Sequence, residues 1–262
     1  MTNQEFIYND IQSSEMNLSI IRLQSGFFST PAYGGQEIIE SEPGRRDNPY
    51  FYTTRKQPIE FEITFSPLDN EWTPDFRQEI FRWLVSDTYK KFQTTDDLGK
   101  IYYVIPINPG EIFTQGTDKG YITILFRSNA YHAWSPIYYS YYDLSENTTT
   151  TTIQAYNHSN IKQFYYPKLQ ITSKKAMGVQ DEIRIHNLTY NTPDFIVQDL
   201  FLDEVVGFDN ENKIIKSSLE HEGYYRLENF NKHWLKLVYG LNTLEITGQC
   251  FIEMKSQYPV IR

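Results

Sequence analysis

A mainly β protein with one covering helix is the fold class this sequence predicts, and three observations carry it. Aromatic residues make up 16 % of the chain, with 21 Tyr and 17 Phe, and Tyr, Phe, Ile and Thr suit the half-buried pleated surface of a strand. Segments such as Ile59 to Phe65 alternate apolar and polar residues with a period of two. Only the stretch from Trp72 to Asp87 repeats apolar residues convincingly at helical spacing. At 262 residues the chain is long enough for two ordinary cores. The expected organisation is a β-rich α+β chain with one domain over residues 1–134 and a second over 135–262.

In order, Phe6 to Ile11 opens the chain, and Met16 to Leu23 alternates as a strand with one slip between Ile20 and Leu23. Phe27-Phe28 and the loop from Pro31 to Gly35 follow. Ser41 to Pro49 is a turn-rich excursion between strands, broken by Gly44 and two prolines. Its Arg45-Arg46 pair could meet an acidic partner, but Glu40, Glu42 and Asp47 beside it favour a solvated loop.

Ile59 to Phe65 is a half-buried strand. Thr73 is placed to cap a helix, Pro74 sits at the first helical position where its missing N–H costs nothing, and Asp75 and Glu79 lie near the positive end of the dipole. Phe76, Ile80, Phe81, Trp83 and Leu84 form its apolar face. The turn Thr95-Asp-Asp-Leu-Gly precedes the strand Ile101 to Pro106. A turn over Thr114 to Lys119 introduces the strand Tyr121 to Ser128.

In the second domain, Ile137 to Leu144 is an aromatic strand, and Thr148 to Thr152 reads as either a strand edge or a hairpin tip, the tip being preferred. Short strands are expected at Lys168 to Thr172, Asp181 to Leu188 and Gln198 to Asp203. Val205 to Ile215 reads as a hairpin turning on Asp209 to Asn212. Trp234 to Tyr239, Gly240-Leu-Asn and Thr243 to Met254 read as a closing hairpin, whose final strands could pair back onto the first domain. Strands at this frequency suggest a sandwich.

Charge and motifs exclude more than they assign. The formal charge is −9, with 12 basic against 18 acidic residues in 1–134 and 12 against 15 in 135–262. Neither half therefore reads as a nucleic-acid-binding domain by its net charge. Cys250 is the one cysteine, so no intramolecular disulfide forms, as suits a reducing compartment. No apolar run reaches the roughly 20 residues of a membrane span, and the polar start does not read as a signal peptide, so a soluble product is expected. The histidines at 132, 158, 186, 221 and 233 form no HExxH and have no cysteine partner, so neither a metal nor a cofactor is expected. Asp209 to Asn212 lacks the EF-hand register, and Asp96-Asp97 reads as a turn. No catalytic constellation is expected, and the chain reads as a non-enzyme. Asn147, Asn157 and Asn187 begin glycosylation-like triplets, which mean nothing without secretion.

The strand IEFEITF (59–65), the capped helix ending FRWLVSD (81–87), the strand IYYVIP (101–106) and GYITILFRSNAYHAWSP (120–136) together resemble the phage distal tail proteins. The resemblance covers most of residues 1–137 by order and spacing of elements. It implies that residues 1–134 form a sandwich-type domain building a homo-hexameric ring. It also implies that 135–262 form a galectin-like β-sandwich projecting outward. The implied place is the tail tip of the virion, after synthesis in the host cytoplasm. The implied partners are the tail tube protein, the tail-associated hub protein and a receptor-binding protein. DNA would pass through the ring unbound, and an acidic lumen would repel it. An alternative is a carbohydrate-binding sandwich recognising cell-wall glycans, with Trp134, Tyr138 and Tyr141 stacking on sugar rings. The connected His, Asn, Arg, Trp and Glu set of sugar-binding galectins is represented only by isolated pieces: Arg184, His186, Asn187 and a distant Trp234.

Overall fold

The computed structural model describes residues 5–23, 34–41, 48–68, 72–108, 111–114, 120–161, 164–175, 181–190 and 192–261. The expectations for Phe27-Phe28, Arg45-Arg46 and most of the Thr114–Lys119 turn lie outside these residues. Two compact units divide the chain. One is Met1–Ser135 with Val260–Arg262, the other Pro136–Pro259.

The first unit contains β1 (Phe6–Tyr8), β2 (Ile11–Gln12), β3 (Leu18–Leu23), β4 (Gln36–Ser41), β5 (Tyr50–Lys56) and β6 (Glu60–Pro67). After them come α1 (Pro74–Leu84), β7 (Lys90–Thr94), β8 (Asp97–Pro106), β9 (Glu111–Thr114) and β10 (Gly120–Ser128). The antiparallel order β3-β6-β10-β8 forms its main sheet; β9 pairs with β10, while β7 pairs with β8 and β1. The slip expected near Ile20 is a β-bulge, where the pairing with β6 shifts register between Ile20 and Arg22. The extra residue keeps Leu18 and Ile20 on the buried side.

The helix starts and ends close to where its sequence signals fall. The Thr73 hydroxyl accepts the Phe76 N–H at 3.2 Å, and Pro74 opens the first turn. Ile80 and Leu84 are fully buried, while Phe76, Phe81 and Trp83 pack partly buried against the same core. Polar atoms fix the helix to the sheet as well. Tyr8 Oη donates to the Leu84 carbonyl at 3.0 Å, Trp83 Nε1 to the Tyr8 carbonyl at 3.1 Å, and Trp72 Nε1 to the Gly120 carbonyl at 3.0 Å. The first bond satisfies a last-turn carbonyl that no intrahelical N–H can reach. The turn expected over Thr95 to Gly99 is shorter. Thr94 already pairs with Asp97, so Asp97 to Gly99 belong to a strand.

The second unit contains most of β11 (Ala133–Leu144), then β12 (Thr150–Asn157), β13 (Lys168–Ser173), β14 (Glu182–Asn187) and β15 (Phe195–Gln198). It continues with β16 (Val205–Asp209), β17 (Ile214–Ser217), β18 (Gly240–Thr247) and β19 (Cys250–Val260). One sheet has the order β17-β16-β13-β19-β11 and the other β12-β18-β14-β15. Both sheets bury side chains in one shared core that includes Ile171, Phe195, Phe208, Leu244 and Ile252, which makes a β-sandwich.

Four local expectations are corrected here. Thr150 to Thr152 follow the strand-edge reading and not the preferred tip: they belong to the edge strand β12 and pair with Thr247 to Glu245, where β-branched threonines gain a cross-strand partner, with Thr150 Oγ1 3.1 Å from Thr247 Oγ1. Asp199 to Glu204 is a loop, and the strand lies earlier, at Phe195–Gln198. Trp234 to Tyr239 is irregular, joined to Tyr165 by a single bridge at Leu237. The closing hairpin expected between Trp234–Tyr239 and Thr243–Met254 is absent: Thr243 to Met254 is divided between β18 and β19, which are joined by Gly248-Gln249 and enter different sheets. Gly248, at φ +109°, makes that crossing possible.

Candidate interaction surfaces

Among the described residues, His, Cys, Asp and Glu side chains form no group able to hold a metal ion. One exposed surface stands out in the first unit. Among the described residues, strands β4 and β5 pair only with each other, from Gln36↔Lys56 to Ser41↔Tyr50. Every residue of β5 is exposed, including Tyr50, Phe51 and Tyr52, the last two at 64 % and 65 %, and Ile38 of β4 is exposed as well. Consecutive strand residues point to opposite faces, so both faces of this ribbon carry aromatic groups in water. Its base is fixed by backbone bonds from Gln57 to Gly35 and from Gly34 to Tyr131, and by Lys56 Nζ donating to Tyr131 Oη at 2.8 Å. An isolated two-stranded ribbon is marginal in water, and one with apolar groups on both faces lacks a covering layer.

Of the residues expected to stack on sugars, Tyr138 and Tyr141 of the second unit lie on opposite faces of β11. Trp134 packs edge-on against His132 with centroids 4.6 Å apart, and its indole nitrogen donates to Asn129 Oδ1 at 3.4 Å. Burial holds His132 below its usual pKa, so it stays a neutral neighbour for the indole. Tyr138 lies parallel to His158 at 5.3 Å. Tyr141 belongs to the alternate face of β11, beside Tyr139 (6.4 Å, 8° between planes) and Phe251. Tyr138 and Tyr141 are therefore not brought together.

On the four-stranded sheet, Arg184 and His186 do share an outward face. His186 Nδ1 is 2.5 Å from Asp194 Oδ1, and Arg184 lies 3.6 Å from Asp194 Oδ2 while also bonding Glu182. Asn187 points the other way. It is buried, donating to Asn242 Oδ1 at 3.2 Å and to the Lys236 carbonyl at 3.1 Å. Trp234 packs against Phe230 and the core. The residues resembling the galectin set thus split between surface and interior. Asn157 and Asn187, which begin glycosylation-like triplets, are buried.

Sequence reading missed the most organised electrostatic feature. Glu204 and Arg226 form a buried bidentate pair, with Nε to Oε1 at 2.7 Å and Nη2 to Oε2 at 2.6 Å and side-chain exposures of 0 % and 6 %. Ser217 Oγ and the Phe201 N–H also donate to the carboxylate. Burial by itself would raise the Glu204 pKa, but these donors and the guanidinium outweigh it and hold the carboxyl below its ordinary range. The separation of 22 positions between the partners leaves no local signal of the pairing.

Comparison with known proteins agrees with this architecture. Residues 1–130 match the model of a phage tail protein N-terminal domain, and residues 133–256 that of a phage tail C-terminal domain. The SPbeta prophage-derived protein YomH of Bacillus subtilis (strain 168) is 25 % identical over 257 residues, covering 98 % of this chain and 97 % of its own. The crystal structure of SPP1 Dit (gp 19.1), described as a paradigm of the hub adsorption apparatus in phages infecting Gram-positive hosts, superposes with a TM-score of 0.69. It is 12 % identical and covers 97 % of this chain and 98 % of its own, a likeness of fold.

Proposed function

The chain belongs to the phage tail protein family, and from that premise we propose that it is the distal adaptor of a long tail. Its place is the virion tail, and its role there is structural. In this reading the first unit closes a homo-hexameric ring between the tail tube protein and the tail-associated hub protein. The second unit projects toward host-recognition proteins. DNA passes through the ring without specific binding, helped by an acidic chain of net charge −9.

The observation that supports this best is the β4–β5 ribbon. A paired ribbon with Ile38, Tyr50, Phe51 and Tyr52 exposed gains most by lying across a neighbouring copy. In a closed ring every ribbon finds the same acceptor surface. Light scattering on the purified chain, alone and with tail tube protein, tests this. A mass of six 31.0 kDa chains, lost in the variant Phe51→Ser/Tyr52→Ser without a change in thermal stability of the second unit, is the expected result. A monomer under both conditions would sink the ring.

A further inference from the structure

We infer that the second unit carries a preformed docking surface for another protein of the tail, one with an apolar pocket ringed by Lys and Arg. The inference rests on the tail reading above. Its centre is the segment around Arg226. Tyr225, at 71 %, has the most exposed large apolar side chain among the described residues, and Tyr224, Leu227, Phe201 and Leu202 are exposed with it. They lie on two segments, 201–202 and 224–227, that meet through Arg226. Arg226 lies over the Phe201 and Tyr224 rings, 5.0 and 5.4 Å from their centroids, and the two rings meet edge-on at 4.9 Å.

The buried Glu204–Arg226 pair fixes both loops from below. Glu204 accepts from the Phe201 N–H at 2.9 Å, and Asn229 Nδ2 donates to Asp199 at 3.2 Å. Asp199 and Asp203 hold left-handed backbone at φ +57° and +58°, which further defines the first loop. Aromatic side chains held still beforehand lose little entropy on binding, the property of interface hot spots. A single charge-paired residue thus points its two neighbours, Tyr225 and Leu227, into solvent.

Charge selects the partner. Residues 199–204 and 218–229 contain six carboxylates and one guanidinium. Glu204 is neutralised by Arg226 and Asp203 by Lys174 at 2.9 Å. Among the described residues Asp199, Glu220, Glu222 and Glu228 meet no Lys or Arg, although the exposed His221 lies 3.4 Å from Glu222. An apolar centre with an acidic rim repels a second copy of itself and attracts a basic rim.

The test places the photo-crosslinker p-benzoylphenylalanine at position 225 of the full chain, produced in the phage-forming host. Purified tails are irradiated, and the linked peptides mapped by mass spectrometry. The expected link is to a different tail protein, at a peptide with apolar residues flanked by Lys or Arg. Adding Leu227→Asp should cut its yield about tenfold while leaving the second unit's melting temperature in place. A link to another copy of this chain, a link to an acidic peptide, or no link in tails that contain the chain would overturn the inference and leave the tail reading standing. Tails lacking the chain altogether would overturn both.

Discussion

Replacing Arg226 with Met leaves a methylene stem of similar length in the same slot but strips Glu204 of its bidentate partner. The carboxylate, with no exposed surface of its own, then retains only Ser217 Oγ at 2.6 Å and the Phe201 N–H at 2.9 Å as donors. Breaking one side of a buried pair costs about 3–5 kcal/mol, because the remaining charge is uncompensated. For a unit of this size each kcal/mol lowers the melting temperature by roughly 3–5 °C, so a fall of about 10–20 °C is expected by calorimetry at pH 7. Glu204→Gln with Arg226→Met removes the stranded charge and should recover part of the loss.

The pH dependence follows from the direction of the Glu204 shift. A carboxyl held below its ordinary 4.5 in the folded state stabilises above that pH, and the contribution is lost as pH falls through the folded value. The wild type should therefore lose stability below about pH 4.5, and the gap to Arg226→Met should narrow there. A shift under about 2 °C at pH 7, or a gap that widens in acid, would refute the argument that this pair holds the loops.

Three further outcomes follow from the packing. Gly248→Ala should destabilise the second unit by about 1–3 kcal/mol from the strain of φ +109°, and further because an added Cβ would lie 2.9 Å from the Glu182 carbonyl oxygen; urea unfolding reads this directly. Tyr8→Phe should cost the first unit about 1–3 kcal/mol through the buried Leu84 carbonyl it leaves unpaired, and a silent variant would mean that another donor takes over. Cys250 is fully buried and its thiol is pushed up to about 12, so a disulfide reagent at pH 8 should react only after denaturant is added.

How much was legible in the sequence depended on how far each determinant reaches. The helix was readable because its signals are local: a threonine three residues before the amide it caps, a proline at the first turn, and apolar residues three and four apart. Strand β6 was readable for the same reason, its alternation being a property of one segment. Even the bulge at Ile20 left a trace, as a broken alternation. The Asp209 turn also held, with Asp209 Oδ1 accepting the Asn212 N–H at 3.0 Å.

What misled was every feature whose partner lies far along the chain. Thr150 to Thr152 look like a polar tip until β18 is placed beside them. Trp234 to Tyr239 carries a strand-like pattern, but its apolar residues meet the core from an irregular segment. Thr243 to Met254 reads as one arm of a hairpin, yet the left-handed Gly248 divides it between strands of two different sheets. Asn187 sits beside His186 in sequence and on the other side of the sheet in space. The sequence by itself determined the class: a strand-rich, acidic chain with one capped helix and the element order of a tail protein. The tertiary structure alone decided which strands share a sheet, which polar residues are buried, and that Arg226 finds Glu204. Capping and periodicity act over a few residues of backbone, whereas pairing and ion-pair burial depend on contacts that exist only once the chain has closed.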